Sequence, residues 1–350
     1  MKRKISHANI TMNPTIQKRE SSLELLRIIA MLLVLMVHAG FKALGIPTVE
    51  EVASSPASSF LRFLSESVAI VCVNVFILIT GWFGIRPKVS RFCGLVFQVV
   101  FIGAFIYLCL LLLGKTEPWG VNGWVRLLLF RRGLWFVSAY MVLYVLAPVL
   151  NAFVATAHQQ TFRNVLLAFF AVQTLCGFCA DYSFFGYGYT PLSFIGLYLL
   201  ARYMSIYRSR FCTLNKWYDM TIYACSTLLT AVLSMVVIRY THRDDCLYDY
   251  LSPIVIVSSV YFFLFFTKLS FHSKAVNWVA SSAFAVYLFH CDPLFFDSYY
   301  LLPIKEFYVN DTLPLFVLHT ACLMMAVFVL AIVVDKLRIT AFNIINRSFR

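Results

Sequence analysis

Long apolar runs without charged residues recur along the chain at intervals of about 30 residues. A helix that crosses the hydrocarbon core of a bilayer needs about 20 mostly apolar residues, so each run is long enough to span a membrane. Apolar positions are continuous rather than alternating, which favours helices over the strands of a membrane barrel. The pattern predicts about ten transmembrane helices, at residues 23–40, 60–83, 92–113, 134–156, 162–180, 191–206, 217–240, 251–271, 277–299 and 313–336.

Composition supports the same fold class. Of the 350 residues, 61% are apolar and 13% are charged, and the mean hydropathy is +0.80. A soluble domain of this length could not bury so much apolar surface. We therefore predict an all-α, polytopic membrane protein with a single helical bundle over residues 23–340 and short tails at 1–22 and 341–350.

The distribution of lysine and arginine predicts how the bundle is oriented. Positive residues are retained on the cytosolic side of a membrane. With a cytosolic N-terminus, nineteen of the 29 lysine and arginine residues fall in cytosolic segments and nine in outer loops, so both termini are predicted to be cytosolic. Arg126, Arg131 and Arg132 go against this bias, and their loop is either an interfacial segment or a sign of a miscounted span.

The net charge of +13 is spread over many short loops and forms no extended basic domain. We therefore expect membrane lipids and an anionic cosubstrate as partners, and no nucleic acid. Nearly all of the ten cysteines lie inside predicted spans, where a thiol is a small apolar filler, so no disulfide framework is expected. No zinc signature is present, and no metal is expected. The sequence does not indicate an oligomeric state.

In the first predicted span, the ionisable residues Arg27 and His38 are separated by ten apolar residues. Ionisable groups inside a membrane are costly to bury and usually face a cavity or a partner. Eleven helical steps make three turns plus about 20°, so both side chains share one face, about 16 Å apart along the axis. This face presents a cation near the cytosol and an imidazole deep in the bilayer.

This pair suits the transfer of an acyl group from coenzyme A. A guanidinium binds phosphate oxygens well, so Arg27 would hold the anionic end of the donor at the cytosolic mouth. A neutral imidazole at His38 would take the proton from an attacking hydroxyl and return one to the thiolate leaving group. The spacing is equally consistent with an arginine that extends to the inner interface and a hydrogen-bonded packing histidine.

Four segments of the chain carry a family resemblance. They are residues 22–40 (SLELLRIIAMLLVLMVHAG), 73–85 (VNVFILITGWFGI), 134–150 (LWFVSAYMVLYVLAPVL) and 282–295 (SAFAVYLFHCDPLF). In this order they resemble the integral-membrane acyltransferase 3 family, whose hallmark is an arginine, ten residues and a histidine on the first helix. The likeness extends over nearly the whole chain.

The resemblance implies a multi-pass enzyme of the bacterial inner membrane. It implies transfer of an acyl group, usually acetyl, from cytosolic acyl-coenzyme A to a hydroxyl of a polysaccharide or lipid-linked sugar. His38 would have the catalytic role and Arg27 the donor-binding role. The sequence departs from the family pattern at Asn74, where many members have aspartate, and at Thr80, where serine is usual. An amide at position 74 carries no charge but can still orient a neighbour by hydrogen bonding.

Further polar residues extend the candidate site toward both ends of the bundle. Glu66, at a depth comparable to that of His38, would orient the imidazole or act as an acid, the alternative being a carboxylate that reaches water at the outer interface. Arg86, Lys88 and Arg91 follow the second span and would cradle phosphates beside Arg27. Their position is explained equally well by positive-inside topology.

His290 and Trp135 lie in the family-like segments. His290 precedes Asp292 and Pro293, which predicts a nearby helix break and an imidazole that faces the bundle interior. Its expected role is a structural hydrogen bond. Trp135, at the start of the fourth span, is expected to be an interface anchor, the alternative being a wall of the acceptor channel.

A transporter or flippase for a lipid-linked saccharide is the alternative function. Arg27, His38 and Glu66 would then line a translocation pathway. Many transporters contain paired repeats with broken helices at matching positions, and no such repeat is visible in this sequence. The acceptor, the acyl group and the membrane face of transfer cannot be read from the sequence.

Overall fold

The computed structural model describes residues 20–128, 133–180, 183–240 and 246–348, and no strand occurs among them. Short π-helical and 3₁₀ turns connect or extend the α-helices. The α-helices are α1 (Ser21–Val37), α2 (Val49–Ser54), α3 (Pro56–Ala69), α4 (Cys72–Phe83), α5 (Val89–Leu112), α6 (Val121–Leu128), α7 (Trp135–Thr156), α8 (Gln159–Val172), α9 (Pro191–Tyr207), α10 (Lys216–Val237), α11 (Pro253–Thr267), α12 (Lys274–Ala280), α13 (Ala283–His290), α14 (Leu302–Asn310) and α15 (Leu313–Ser348).

Eight helical segments of the described chain are long and apolar enough to cross a membrane. Large apolar side chains lie exposed along many of these helices, as on α7 and α15. In a bilayer these are the faces that lipid would cover. The predicted fold class, an all-α polytopic membrane protein, is confirmed. The segments are Ser21–Lys42, Pro56–Phe83, Val89–Leu112, Trp135–Thr156, Gln159–Cys179, Lys216–Val237, Cys246–Thr267 and Leu313–Phe342.

The predicted span at residues 191–206 forms helix α9, which is shorter than a typical bilayer crossing. Its 17 residues extend about 26 Å, against about 30 Å for a hydrocarbon core. Helix α9 packs closely on α4, where Gly81 has no room for a Cβ because Tyr198 O and Ala201 Cβ would lie 2.6 and 2.7 Å away. Protein rather than lipid covers most of this helix.

The predicted span at residues 277–299 is not a single helix. Helix α12 ends at Ala280, α13 ends at His290, and a π-helical turn runs from Phe296 to Leu301. Pro293 disfavours helical geometry at Asp292. The Asp292 carboxylate accepts the Leu294 N–H at 3.0 Å, which closes a local turn in place of helical bonding. The break places the end of α13 inside the bundle.

The segment before α7 contains the short helix α6, whose Arg126 is exposed. Tyr107 and Trp119 stack with ring centroids 3.8 Å apart, and Trp124 meets both rings edge-on. Aromatic clusters of this kind are common where a membrane protein meets the interface, in keeping with an interfacial segment. Arg131 and Arg132 lie outside the described residues.

Candidate active site

His38 begins a π-helical turn, His38–Lys42, that extends helix α1. Gly40 leaves helical geometry with φ −80° and ψ −115°. A Cβ at Gly40 would overlap the Glu66 carboxylate, so glycine permits the close approach of α3 to this turn. Wide turns of this type are frequent at functional sites because they reorient a side chain within an otherwise regular helix.

His38 is paired with His290, 252 residues away in sequence. His38 Nδ1 lies 2.9 Å from His290 Nε2, and His290 Nδ1 lies 2.6 Å from the carbonyl oxygen of Val286. A carbonyl oxygen only accepts, so His290 Nδ1 carries the hydrogen and its neutral ring accepts through Nε2. His38 Nδ1 must then donate to His290. The lone pair of a neutral His38 is therefore on Nε2, the nitrogen that a general base requires.

The histidine pair is enclosed by aromatic rings. Phe296 meets the His38 ring edge-on at 5.1 Å, and Tyr300 lies 5.5 Å from the fully buried His290 ring. The Tyr300 hydroxyl donates to Leu35 O at 2.7 Å and so ties the segment after α13 to α1. These contacts restrict both imidazoles, because each ring packs against an aromatic neighbour.

Glu66 approaches the backbone beside His38 rather than its ring. The carboxylate is buried and accepts the Phe41 N–H at 3.3 Å, within the π-helical turn. The orienting contact expected between Glu66 and the imidazole is made instead by His290. Glu66 therefore supports the turn that carries His38, and it also lines the cavity described next.

A cavity of about 650 Å³ opens beside His38. It lies toward the Lys42 end of α1. Its wall is rich in aromatic side chains and also contains four charged residues. The lining includes Lys42, Glu66, Asp249 and Asp297 among charged residues and Trp135, Tyr187, Tyr189, Tyr248, Tyr250 and Tyr287 among aromatic ones.

Arg27 lies on the same face of α1 as His38 but outside the cavity. Met31 and Val34 line the inner end of the cavity, and Met31 is one turn, about 6 Å, from Arg27. The Arg27 guanidinium pairs with the buried Glu24 carboxylate and lies 6.0 Å from the Phe83 ring centroid. Arg27 and His38 thus lie on the same face of α1, but the cavity beside His38 ends at Met31 and does not reach Arg27.

Arg86, Lys88 and Arg91 lie at the Arg27 end, in and after the loop that follows α4. All three residues are exposed. The Tyr144 hydroxyl holds the loop to α7, because it accepts the Lys88 N–H at 2.8 Å and donates to Lys88 O at 3.0 Å. The loop backbone is therefore held at Lys88, the three cationic side chains lie at the surface on the Arg27 side, and none of the three lines the cavity.

Trp135 and Asn74 both support the aromatic wall. Trp135 is half-buried, lines the cavity and meets the Tyr189 ring at 4.4 Å, which is the position expected for the alternative role, a cavity wall. Asn74 is buried and donates through Nδ2 to Tyr250 O at 2.9 Å. The Asn74 amide thus holds the backbone segment that carries Tyr250. Because this amide is neutral, it forms no ion pair with Arg27.

Sequence reasoning did not identify the tyrosines of the cavity or Cys291 beside the histidine pair. Tyr187 adopts a left-handed conformation with φ 54° between Gly186 and Gly188, and its carbonyl accepts the Tyr250 N–H at 3.1 Å. Backbone strain of this kind often marks functional sites. The glycine-rich stretch around Tyr187 was the only available signal, and no spacing connects it with His38.

Comparison with protein families gives one result. The family model of acyltransferase 3, described as "Acyltransferase domain", matches residues 20–336, which include both histidines and Arg27. No match was found among curated proteins or among solved structures.

Proposed function

Because this chain belongs to the acyltransferase 3 family and is a membrane acyltransferase, we propose that it is an O-acyltransferase with acyl-coenzyme A as donor. The acyl group, most simply acetyl, would pass to a hydroxyl of a polysaccharide or lipid-linked sugar. The observation that carries this proposal is the chain of hydrogen bonds from Val286 O through His290 to His38, which leaves His38 Nε2 as a base.

The proposed reaction uses His38 twice. Its Nε2 takes the proton of the acceptor hydroxyl while the hydroxyl oxygen attacks the thioester carbonyl carbon. The carbon–sulfur bond then breaks, and the imidazolium returns the proton to the coenzyme A thiolate. His290 acts as a positioning residue, because its Nε2 accepts from His38 Nδ1 before and after proton transfer.

The aromatic cavity supports a sugar as the acceptor. The rings of Trp135, Tyr189 and Tyr250 meet edge-on or tilted along one wall, and aromatic rings offer apolar area to the carbon–hydrogen faces of a sugar. Asp249 and Asp297 place carboxylates at the same cavity, where they can accept hydrogen bonds from hydroxyl groups. A volume of about 650 Å³ accommodates a saccharide unit.

The Arg27 end supports an anionic donor. Arg27, Arg86, Lys88 and Arg91 bring four cations to one end of α1 and α4, where the phosphates of coenzyme A would bind. By positive-inside orientation this end is cytosolic and the cavity opens outward, in a bacterial inner membrane with both termini in the cytosol. The thioester would reach His38 along the stripe through Met31 and Val34.

The direct test uses purified protein in detergent with radiolabelled acetyl-coenzyme A and no membrane gradient. We expect release of free coenzyme A and transfer of label to added saccharides. His38→Ala should lower this rate about 1,000-fold, within the range for loss of a general base. His319→Ala is the matched control, because that exposed histidine pairs with Asp311 away from the cavity.

Two outcomes would contradict the proposal. Full activity in His38→Ala would show that His38 is not the general base. The control variant His319→Ala should keep the wild-type rate. Movement of a lipid-linked saccharide across vesicles, without consumption of acetyl-coenzyme A, would favour the transporter instead.

A further inference from the structure

Three metal-ligand atoms converge beside the cavity. Cys291 Sγ lies 3.3 Å from His290 Nε2 and 3.9 Å from His38 Nδ1, and the two nitrogens are 2.9 Å apart. Among the described residues, this is the group of His, Cys, Asp and Glu side chains whose ligand atoms come close enough to share one ion. His38 and Cys291 line the cavity, so solvent and ions reach the group from that side.

The distances among these three atoms are short enough for one metal ion to contact all of them. A point exists about 2.0 Å from all three atoms, which is the usual distance from zinc to an imidazole nitrogen. The thiolate prefers about 2.3 Å, so ion binding would shift the sulfur by about 0.3 Å and turn the two imidazoles until their lone pairs face the ion instead of each other. Three protein ligands leave a fourth position for water or a small ligand, the arrangement of open zinc sites.

The hydrogen bonds around His290 add a second, independent indication. Its Nδ1 donates to Val286 O at 2.6 Å, the outer contact that ligating histidines commonly make. Its Nε2 offers one lone pair to two donors, His38 Nδ1–H and the Cys291 thiol. Hydrogen bonding satisfies only one of these donors at a time, whereas one metal ion satisfies all three atoms.

We propose that His38, His290 and Cys291 form a binding site for a soft transition-metal ion, most simply Zn²⁺, and that the bound ion blocks acyl transfer. Imidazole and thiolate ligands together select zinc or copper(I) over magnesium and calcium. Binding forms one metal–sulfur and two metal–nitrogen bonds, and the thiol proton leaves to solvent.

Inhibition follows from the tautomer of His38. Coordination through Nδ1 uses the lone pair of that nitrogen, so the ring hydrogen must move to Nε2. Nε2 then has no lone pair with which to accept a proton from an acceptor hydroxyl. Metal binding and base catalysis are therefore mutually exclusive states of one ring. This inhibitory part rests on the proposed function, whereas the binding part does not.

The binding test uses metal-stripped, purified protein in detergent with zinc chloride alone as the probe. We expect one Zn²⁺ per chain in competition with a chromophoric chelator, and a cobalt-substituted sample should show the absorption band of a thiolate ligand. Cys291→Ala should weaken binding by at least about tenfold, since loss of an outer-sphere partner alone typically costs that much. Cys72→Ala is the matched control, a thiol of the same cavity outside the histidine group.

The activity test separates the two parts. Zinc should inhibit acyl transfer in the wild type and in Cys72→Ala at equal concentrations, and Cys291→Ala should require at least about ten times more, each relative to its own metal-free rate. Equal zinc affinity of Cys291→Ala and wild type would overturn the site. Tight binding without inhibition would overturn the inhibitory role, and a metal-free protein that transfers no acyl group would instead count against the proposed function.

Discussion

The two ends of helix α1 differ in how far they are prepared for a ligand. At the Lys42 end, a cavity of about 650 Å³ stands open beside His38, with tyrosines and tryptophan already in packed positions. At the Arg27 end, the guanidinium is occupied by Glu24, and the cavity stops one turn away at Met31. Under the proposed function, the acceptor side would be defined by the shape of the cavity and the donor side by its positive charge.

Under the proposed function, the donor would have to reorganise its own binding site. An anionic donor at Arg27 would compete with the Glu24 carboxylate for the guanidinium. A path from Arg27 to His38 also needs the Met31 side chain to move, since that buried residue closes the inner end of the cavity. Methionine suits this role because its side chain is unbranched and flexible. Acceptor binding requires no comparable change.

Among the variants that probe this difference between the two ends, the largest expected effect concerns His290, which pairs with His38. His290→Ala should lower kcat about 100-fold, because His38 Nδ1–H loses its hydrogen-bond acceptor. The His38 tautomer with its lone pair on Nε2 is then no longer favoured. The measurement is coenzyme A release with KM for the donor determined separately. Unchanged kcat in His290→Ala would show that the imidazole of His38 is oriented by something else.

That pair also marks the limit of what could be predicted from sequence. Arg27 and His38 lie on one helix, so helical periodicity alone placed them on a common face. His290 lies 252 residues from His38, and no spacing rule relates residues so distant. The buried end of α13 was expected from Asp292 and Pro293, but the partner of its imidazole was not.

The shape of the helices was harder to predict than their type. Apolar run lengths identify membrane helices because the bilayer imposes one thickness on all of them. The π-helical turn after Val37 depends on contacts with distant residues such as Glu66, whereas the break within residues 277–299 follows from Asp292 and Pro293 in the local sequence. Trp135 was expected at an interface because tryptophans at helix ends usually lie there, yet local sequence cannot tell that side chain from a cavity wall.

The second prediction tests whether Arg27 binds the donor or only balances Glu24. Arg27→Gln should raise KM for acetyl-coenzyme A about 30-fold, since a charge-assisted contact to phosphate is lost. That variant also leaves the buried Glu24 without its cation, which can destabilise the fold by itself.

The double variant Glu24→Gln with Arg27→Gln removes both charges and keeps side-chain volume similar. If Arg27 binds the donor, the double variant should fold well, by thermal unfolding in detergent, and still show the raised KM. Recovery of wild-type KM in the double variant would reduce Arg27 to a structural partner of Glu24.

The third prediction separates support from acid catalysis at Glu66. Glu66→Ala should lower kcat about tenfold, because the Phe41 N–H loses its buried acceptor and the turn that carries His38 loosens. Glu66→Gln should stay within about threefold of wild type, because an amide oxygen still accepts that hydrogen bond. A loss in Glu66→Gln as large as in Glu66→Ala would instead show that the carboxyl group takes part in proton transfer.

The smallest expected effect concerns the acceptor wall. Trp135→Ala should raise KM for the saccharide acceptor about fivefold and leave KM for acetyl-coenzyme A unchanged, because one aromatic contact of the cavity is lost. Trp217→Ala is the matched control, a tryptophan exposed at the start of α10 and remote from this cavity. If Trp135 only anchored the bundle at an interface, its removal would change protein stability and leave both KM values equal to those of the wild type. An effect of Trp135→Ala on the acceptor alone would therefore place the sugar at the open end of α1, and an effect on the donor alone would reverse the assignment of the two ends.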